Sequence, residues 1–226
     1  MGTRVLYVWP VGGKNGGGMI ASILRLGPKD IKILRITDDY SLHRVVYSLF
    51  EDRRSEAEKN ASVSSGFLYT DKGGDSNGRL ILLLSDREPR KPEHGVLESK
   101  TVDEKFLTFD RYRFDVLINP TKRDNKSRKI IALRDREQIA QWFINKAPAS
   151  WGFTVHSDTL QVQTLQVKQF AKQNHSVTHG GAELAGELEV VDRSLFIKSF
   201  QKGIGRGRAF GFGLLQIAPL KVSITN

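Results

Sequence analysis

The spacing of apolar residues predicts one amphipathic helix in the first half of the chain. Five apolar positions recur at intervals that place their side chains on one helix face. These positions are Leu42, Val45, Val46, Leu49 and Phe50. Thr37 or Asp38 can cap the N-terminus of this helix, which is predicted over residues 38–52.

Strands are predicted on both sides of this helix. Residues 19–26 alternate between apolar and small or polar side chains, as a strand does. Two apolar runs, 67–70 and 79–84, are separated by turn-forming residues and form a predicted hairpin. Residues 96–102 are predicted to be extended. The segment 86–95, rich in proline and charge, shows no helical pattern.

The second half repeats this order of elements. In 111–118, Tyr112, Phe114, Val116 and Ile118 alternate with polar residues, which predicts a half-buried strand. Asp135 and Gln138 form a predicted capping box for a helix with Ile139, Trp142 and Phe143 toward the core. Several strands are predicted over 152–191, and Asp192 is predicted to cap a helix that ends at Lys202. A last strand is predicted over 212–220.

Each half therefore approximates strand, helix, strand, strand, helix, strand. This order predicts an α+β protein of two tandem ferredoxin-like (RRM-like) βαββαβ domains. We expect a flexible leader over residues 1–18, an N-terminal domain over 19–104 and a C-terminal domain over 105–226. The second helix of the N-terminal unit is its weakest element, because residues 86–95 do not have a helical pattern.

Composition points to an anionic partner. Lys and Arg number 35 against 25 Asp and Glu, which gives a net charge of +10. Such an excess indicates nucleic acid or an acidic membrane. The sequence has neither a run long enough to span a bilayer nor an obvious membrane-binding helix, so we expect RNA or DNA and no membrane. With no cysteine in the chain, thiol catalysis, disulfides and cysteine zinc sites are excluded, and a cytoplasmic location fits.

A glycine-rich loop, residues 203–213, follows the last predicted helix. Its glycines are Gly203, Gly205, Gly207, Gly211 and Gly213. Glycines allow a polyanion to approach backbone N–H groups, while Arg206 and Arg208 supply donors suited to phosphate. The segment has no acidic residue, which favours an RNA-binding loop over an ordinary flexible connection.

His43 is the candidate for proton transfer. On the predicted helix it lies beside the apolar stripe, and Tyr40 and Tyr47 lie at i−3 and i+4 on the same flank. Histidine is the side chain best suited to exchanging protons near neutral pH. The alternative is an interfacial histidine that packs between two tyrosines. RNA carries its own nucleophile, the 2′-OH, so cleavage needs little besides proton transfer and positive charge.

The sequence lacks the motifs of several other kinds of catalytic site. The chain has no Gly-x-Ser-x-Gly segment and no complete phosphate-binding P-loop. His175 and His179 have a spacing that suits a metal on a helix, but the neighbouring asparagine and glycines predict a loop. We therefore expect no metal and no cofactor.

Three segments resemble one protein family. They are 40–44 (Tyr-Ser-Leu-His-Arg), 112–122 (from Tyr-Arg-Phe to Asn-Pro-Thr-Lys) and 202–220 (the glycine loop to Ala-Pro-Leu). In order and approximate spacing they are similar to the CRISPR-associated pre-crRNA endoribonucleases of the RAMP superfamily, CasE type. The C-terminal segment is the most specific of the three, and the resemblance covers about residues 19–220.

The resemblance implies a function. Members cleave the CRISPR repeat at the base of a hairpin without a metal, leaving a 2′,3′-cyclic phosphate and a 5′-OH. They keep the crRNA hairpin bound and enter Cascade with its other subunits. For this chain it implies that His43 is the general acid or base and that Tyr40 assists. It also places Lys168 and Lys172 where the family has a basic hairpin that binds duplex RNA, although glutamine and threonine dominate this segment here.

Two other functions stay open at this point. A non-catalytic scaffolding subunit of a CRISPR complex would share the fold and the glycine loop, and His43 with Tyr40 is the feature that separates it. A general RRM-like RNA binder would show aromatic-rich strands for base stacking, which neither half shows clearly.

Overall fold

The computed structural model describes residues 18–60, 64–172 and 175–220, with only the backbone described at residues 60, 164, 166–172 and 175–179. The predicted leader, 1–18, lies outside these residues except for Gly18. The strands are β1 Ile20–Leu26, β2 Phe67–Asp75, β3 Gly78–Ser85, β4 Val96–Thr101, β5 Arg111–Ile118, β6 Thr121–Arg123, β7 Ile130–Ala132, β8 Phe153–Val155, β9 Gln161–Lys172, β10 His175–Val190 and β11 Gln216–Pro219. The α-helices are α1 Pro28–Ile33, α2 Asp39–Ser48, α3 Glu56–Asn60, α4 Arg136–Trp151 and α5 Arg193–Lys202, with 3₁₀ turns at Glu104–Leu107 and Arg208–Phe210.

The N-terminal sheet has the strand order β2-β3-β1-β4, with every pair antiparallel. This is the order of a ferredoxin-like βαββαβ unit, with α2 in the position of its first helix. No helix forms in residues 86–95, between β3 and β4. Pro89, Pro92 and Gly95 within this connection explain the missing helix, because proline and glycine both disfavour helix interiors.

The C-terminal sheet has the order β11-β5-β10-β8, and β9 also pairs with β10. The order again matches a ferredoxin-like unit, and the predicted fold class is confirmed. Asp135 accepts a hydrogen bond from the Gln138 N–H, and Asp192 accepts one from the Leu195 N–H, so both aspartates cap their helices as predicted. Of the predicted capping box, the structure shows this bond to Asp135. The predicted domain boundary near residue 105 stays a prediction.

Three local predictions need correction. The helix predicted over 38–52 ends at Ser48, and the final strand is shorter than predicted, at Gln216–Pro219. The loop expected around His175 and His179 is wrong, because both residues belong to β10. Their backbone pairs with that of β9 in a long hairpin, and this pairing outweighs the turn preference of the neighbouring glycines.

The core joins the two sheets. One large cluster of buried side chains includes Leu68 and Leu84 of the N-terminal sheet together with Phe114 and Phe200 of the second half. A smaller cluster lies between the N-terminal sheet and α2, and Leu42 and Val46 of the predicted apolar stripe are fully buried in it. The apolar face of α2 therefore fixes the helix on its sheet and leaves the opposite flank toward the second half.

An ion-pair network also connects the two sheets. Lys72 of β2 lies 3.3 Å from Asp115 of β5 and 3.0 Å from Glu183 of β10. Asp115 lies on the polar face of its strand, where Arg111 and Arg113 are exposed, but Lys72 of the N-terminal sheet packs against Asp115 and leaves it only partly exposed. Burial raises the pKa of Asp115 even though Lys72 and a Gln216 hydrogen bond favour its charged form.

Candidate active site

Helix α2 positions the three aromatic residues of the candidate site. Its first turn is fixed by Asp38, whose carboxylate accepts hydrogen bonds from the Ser41 N–H at 2.7 Å and from the Ser41 hydroxyl at 2.7 Å. These hydrogen bonds hold the pKa of Asp38 below its usual value. Tyr40, His43 and Tyr47 then follow on one flank, as predicted from their spacing.

Removing this cap is expected to destabilise the helix in a pH-dependent way. Asp38→Ala should lower the free energy of unfolding by about 1 kcal/mol near neutral pH. Because the folded-state pKa of Asp38 is depressed, its contribution is present above the unfolded value of 3.8 and is lost as pH falls through the lower folded pKa. Urea unfolding at pH 7 and at stepwise lower pH measures this, and a difference from wild type that does not shrink in acid would contradict it.

His43 is held by the glycine loop. Its Nδ1 lies 2.9 Å from the backbone carbonyl oxygen of Ala209. A carbonyl oxygen only accepts, so Nδ1 carries the proton and donates it in this hydrogen bond. The neutral ring therefore has its basic lone pair on Nε2. This arrangement fixes both the tautomer and the orientation of the imidazole, as a general acid or base requires.

Three aromatic rings surround the imidazole. Tyr47 is the nearest, with 4.0 Å between ring centroids, followed by Phe210 at 5.5 Å and Tyr40 at 6.1 Å. Burial raises the pKa of the Tyr47 phenol, so Tyr47 stays neutral at physiological pH. Tyr40 is half-buried, and the Arg44 guanidinium lies 6.0 Å from the centroid of its ring. The ring contacts hold His43 on one side and leave it half-exposed.

The fold of the loop itself requires its glycines. All five have positive φ, a backbone region that side chains with a Cβ rarely adopt. The five are Gly203, Gly205, Gly207, Gly211 and Gly213. At Gly213 a Cβ would lie 2.1 Å from the Ile204 carbonyl oxygen, so the spacing is needed for a tight backbone approach within the protein. The Gly213 N–H donates to the Leu117 carbonyl at 2.7 Å, and other loop N–H groups are likewise bonded internally.

This finding changes the reason for the glycine pattern. The glycines were predicted to allow close approach by a polyanion, whereas internal hydrogen bonds occupy several of the N–H groups that would bind it. Contact of the loop with RNA stays a prediction. The side chains expected to make this contact are mainly those of Arg206 and Arg208. Both side chains are exposed, and Arg208 Nη1 donates to the carbonyl of Lys202 at the end of α5 at 3.0 Å.

The three segments that resemble one family meet at this place. The loop touches α2 through Ala209 and His43, and it pairs with the end of β5 through a backbone bridge between Arg206 and Asn119. Residues from 40–44, 112–122 and 202–220 are therefore brought into contact by the fold. Sequence reasoning missed Ala209 and Phe210, because a backbone carbonyl has no sequence signal and a lone phenylalanine indicates packing.

Lys168 and Lys172 lie on β9, and their side chains are outside the described part of the structure. The backbone of β9 nevertheless approaches α2, with Cα atoms of the two elements within 8 Å. The strand that carries these lysines is thus a neighbour of the helix that carries His43. Their role in duplex binding stays a prediction.

The described part of the structure contains neither a candidate metal site nor a helix able to span a membrane. Among the residues whose side chains the structure describes, which do not include His175 and His179, no group of three or more histidine, aspartate or glutamate side chains lies close enough together to hold a metal ion. Among the helices of the same residues, none has both the length and the apolar character that crossing a bilayer requires.

Comparison with known proteins identifies the family. A family model described as CRISPR associated protein matches residues 21–219, almost the whole chain. The chain belongs to this family. The CRISPR-associated endoribonuclease Cse3 of Thermus thermophilus is 29% identical over 141 residues, which cover 58% of this chain and 62% of that relative. The alignment thus spans less than two thirds of the relative, and the resemblance found from the three segments is confirmed.

Solved structures of CRISPR-associated proteins share the fold. A structure of the CRISPR endoribonuclease Cse3 bound to a 19-nucleotide RNA superposes with a TM-score of 0.74 at 21% identity, covering 90% of this chain and 100% of that one. A chain of a CRISPR RNA-guided surveillance complex superposes with a TM-score of 0.60 at 18% identity, covering 89% of this chain and 100% of that one. At these identities the likeness shows that the fold is shared.

Proposed function

We propose that this CRISPR-associated protein is a metal-independent endoribonuclease that cleaves CRISPR repeat RNA at the base of a hairpin. The observation that carries the proposal is the hydrogen bond from His43 Nδ1 to the Ala209 carbonyl, which joins the candidate proton-transfer residue to the basic glycine loop. The relative of known activity and the RNA-bound neighbour support the same class of reaction.

The reaction needs one nucleophile and two proton transfers. The 2′-OH of the nucleotide before the cut attacks the adjacent phosphorus, its proton leaves, and a P–O2′ bond forms. The P–O5′ bond breaks, and the leaving oxygen takes up a proton. The products are a 2′,3′-cyclic phosphate and a 5′-OH. His43 Nε2 is the atom that takes the first proton or supplies the second.

Positive charge completes the site. Negative charge builds up on the phosphate during attack, and fixed cations or donors near it lower the barrier. Arg206 and Arg208 are the exposed cations of the loop that carries Ala209, and both present planar donor groups that suit phosphate. We place Tyr40 at the edge of the same site, where its phenol can orient or stabilise the reacting groups.

Removing the nucleophile tests the proposed reaction. An RNA with a single 2′-deoxy nucleotide before the cleavage position should bind as tightly as the all-ribose RNA and remain uncut. The matched control carries the 2′-deoxy nucleotide one position upstream and should be cut at the normal rate. Equal cutting of the two RNAs would show that water, and not the 2′-OH, is the nucleophile.

RNA binding should depend strongly on salt. If about six phosphates are neutralised by the basic surface, affinity should fall roughly a thousandfold between 50 and 200 mM salt. Titrations of an uncut RNA at several salt concentrations give this slope. A fall of less than tenfold would be inconsistent with a broad phosphate-binding surface.

We further propose that the protein keeps its product and acts within a CRISPR RNA-guided complex. A chain of such a surveillance complex has the same fold, which supports crRNA and other Cascade subunits as partners. The absence of cysteine fits the reducing cytoplasm as the place of this assembly.

A further inference from the structure

A basic pocket lies beside the glycine loop, where Gly205 and Arg206 line it. It is bounded by the end of β5, the β6–β7 hairpin, helix α4 and the loop. The residues that give it chemical character are Asn119, Lys122, Arg123, Trp142, Lys146 and Arg206. From its position on the predicted helix, Trp142 was expected to face the core.

The charged residues that line this pocket are all basic. Four of its lining residues are cations, and none of the described lining residues is acidic. Within the described part of the chain, no carboxylate lies within ion-pair distance of Lys122, Arg123, Lys146 or Arg206. Asp124 interacts with Lys122 only beyond ion-pair distance. Clustered cations that are not ion-paired attract phosphate, and the arginines add planar donor groups.

Trp142 adds an aromatic surface to the cations. It is half-buried, and its inner side packs on Trp151 with 6.0 Å between the ring centroids. Lys146 Nζ lies 5.5 Å from the centroid of the Trp142 ring. An aromatic ring with cations beside it is the combination that binds unpaired nucleotides, because the base stacks on the ring and the phosphate meets the charge.

The pocket lies close to the candidate active site along the chain. Arg206 lines the pocket, and Ala209, three residues later, holds His43. Three residues span at most about 11 Å. An RNA strand that rises ~3.4 Å per nucleotide covers this distance in about three nucleotides. One strand can therefore reach from the reacting phosphate to the pocket.

We infer that this pocket binds an unpaired nucleotide of the substrate RNA close to the base of the hairpin stem. The base lies against Trp142, and its phosphate contacts Lys122 and Lys146. This inference rests on the proposed function and extends it, since it assigns a second contact outside the stem. The paired stem does not enter the pocket, because its bases are already stacked on one another.

The test compares two RNAs, each with one 2′-deoxy nucleotide that prevents cutting. One is the hairpin with unpaired nucleotides on both sides of the stem, and the other is the same hairpin with a blunt stem. Trp142→Leu should weaken binding of the flanked RNA by about 5- to 150-fold, the range for one base stacked on an aromatic side chain. Lys146→Gln should weaken it in the same direction, and both variants should bind the blunt hairpin as wild type does.

The matched control is Lys29→Gln on α1, an exposed lysine of the other half, which should change neither affinity. Equal weakening for both RNAs would overturn the inference, since the pocket would then contact the stem, and so would unchanged binding of the flanked RNA. Binding of the blunt hairpin shows that each variant is folded. The proposed function is tested separately, by cleavage of the all-ribose RNA with the wild-type protein. If this RNA stays uncut, the proposed function is wrong.

Discussion

Replacing His43 by alanine is expected to slow single-turnover cleavage of repeat RNA by about 10²–10⁴-fold with little change in RNA affinity. The imidazole is the titratable group fixed between α2 and the glycine loop, and its orientation comes from the Ala209 carbonyl. The change removes the ring but leaves Leu42 and Val46, which hold α2 on its sheet. Rapid mixing with excess enzyme and a gel readout gives the rate.

A matched control and a modified substrate sharpen this prediction. His94→Ala removes a histidine from the connection before β4 and should cleave at the wild-type rate. Sulfur in place of the leaving 5′ oxygen needs no proton, because a thiol has a pKa near ~8.5, far below that of an alcohol. If His43 is the general acid, His43→Ala should cut this substrate almost normally; if it is the base, the variant stays slow. If His43→Ala cuts the ordinary RNA at the wild-type rate, His43 is neither the general acid nor the general base.

Replacing Gly213 by alanine is expected to have the largest effect on stability. Its φ is +79°, and a Cβ there would lie 2.1 Å from the backbone carbonyl oxygen of Ile204, which cannot move away as a side chain can. The conformational cost of about 1–2 kcal/mol adds to an overpacking cost of about 1–3 kcal/mol. We therefore expect the free energy of unfolding to fall by about 2–5 kcal/mol, as measured by urea unfolding.

Gly73 is the matched control for this change. Its φ is +81°, but no atom lies within 4 Å of the position that a Cβ would take. Gly73→Ala should therefore show only the conformational cost of about 1–2 kcal/mol. Equal losses at the two positions would mean that the close approach to Ile204 does not matter. At temperatures where Gly213→Ala stays folded, we expect slower cleavage, because the loop that carries Ala209 is displaced.

Local patterns were enough to predict most of the fold. The apolar stripe of α2, the caps Asp135 and Asp192, and the alternation in β5 depend on neighbouring residues, and the structure shows each of them. The exceptions have local or long-range causes. The absent helix in 86–95 follows from its prolines, and β10 begins at His175 because pairing with β9 outweighs local turn preferences.

The candidate site could be predicted only in parts. The flank with Tyr40 and His43 and the basic loop were each visible as patterns. The contact between this helix flank and the loop could not be predicted, because His43 and Ala209 are 166 residues apart and the partner atom is a backbone carbonyl. The link from Lys72 to Asp115 was hidden for the same reason, since a charged residue on the polar side of a strand predicts solvent and not a second sheet.

The most direct test of the account is to incubate the wild-type protein with its own CRISPR repeat RNA in EDTA and to map the product ends. One cut is expected, at the base of the hairpin, with a 2′,3′-cyclic phosphate on the upstream fragment and a 5′-OH on the downstream one. Tight binding without cutting would contradict it and indicate a scaffolding subunit. Cutting that requires a divalent metal and leaves a 5′-phosphate would also contradict it.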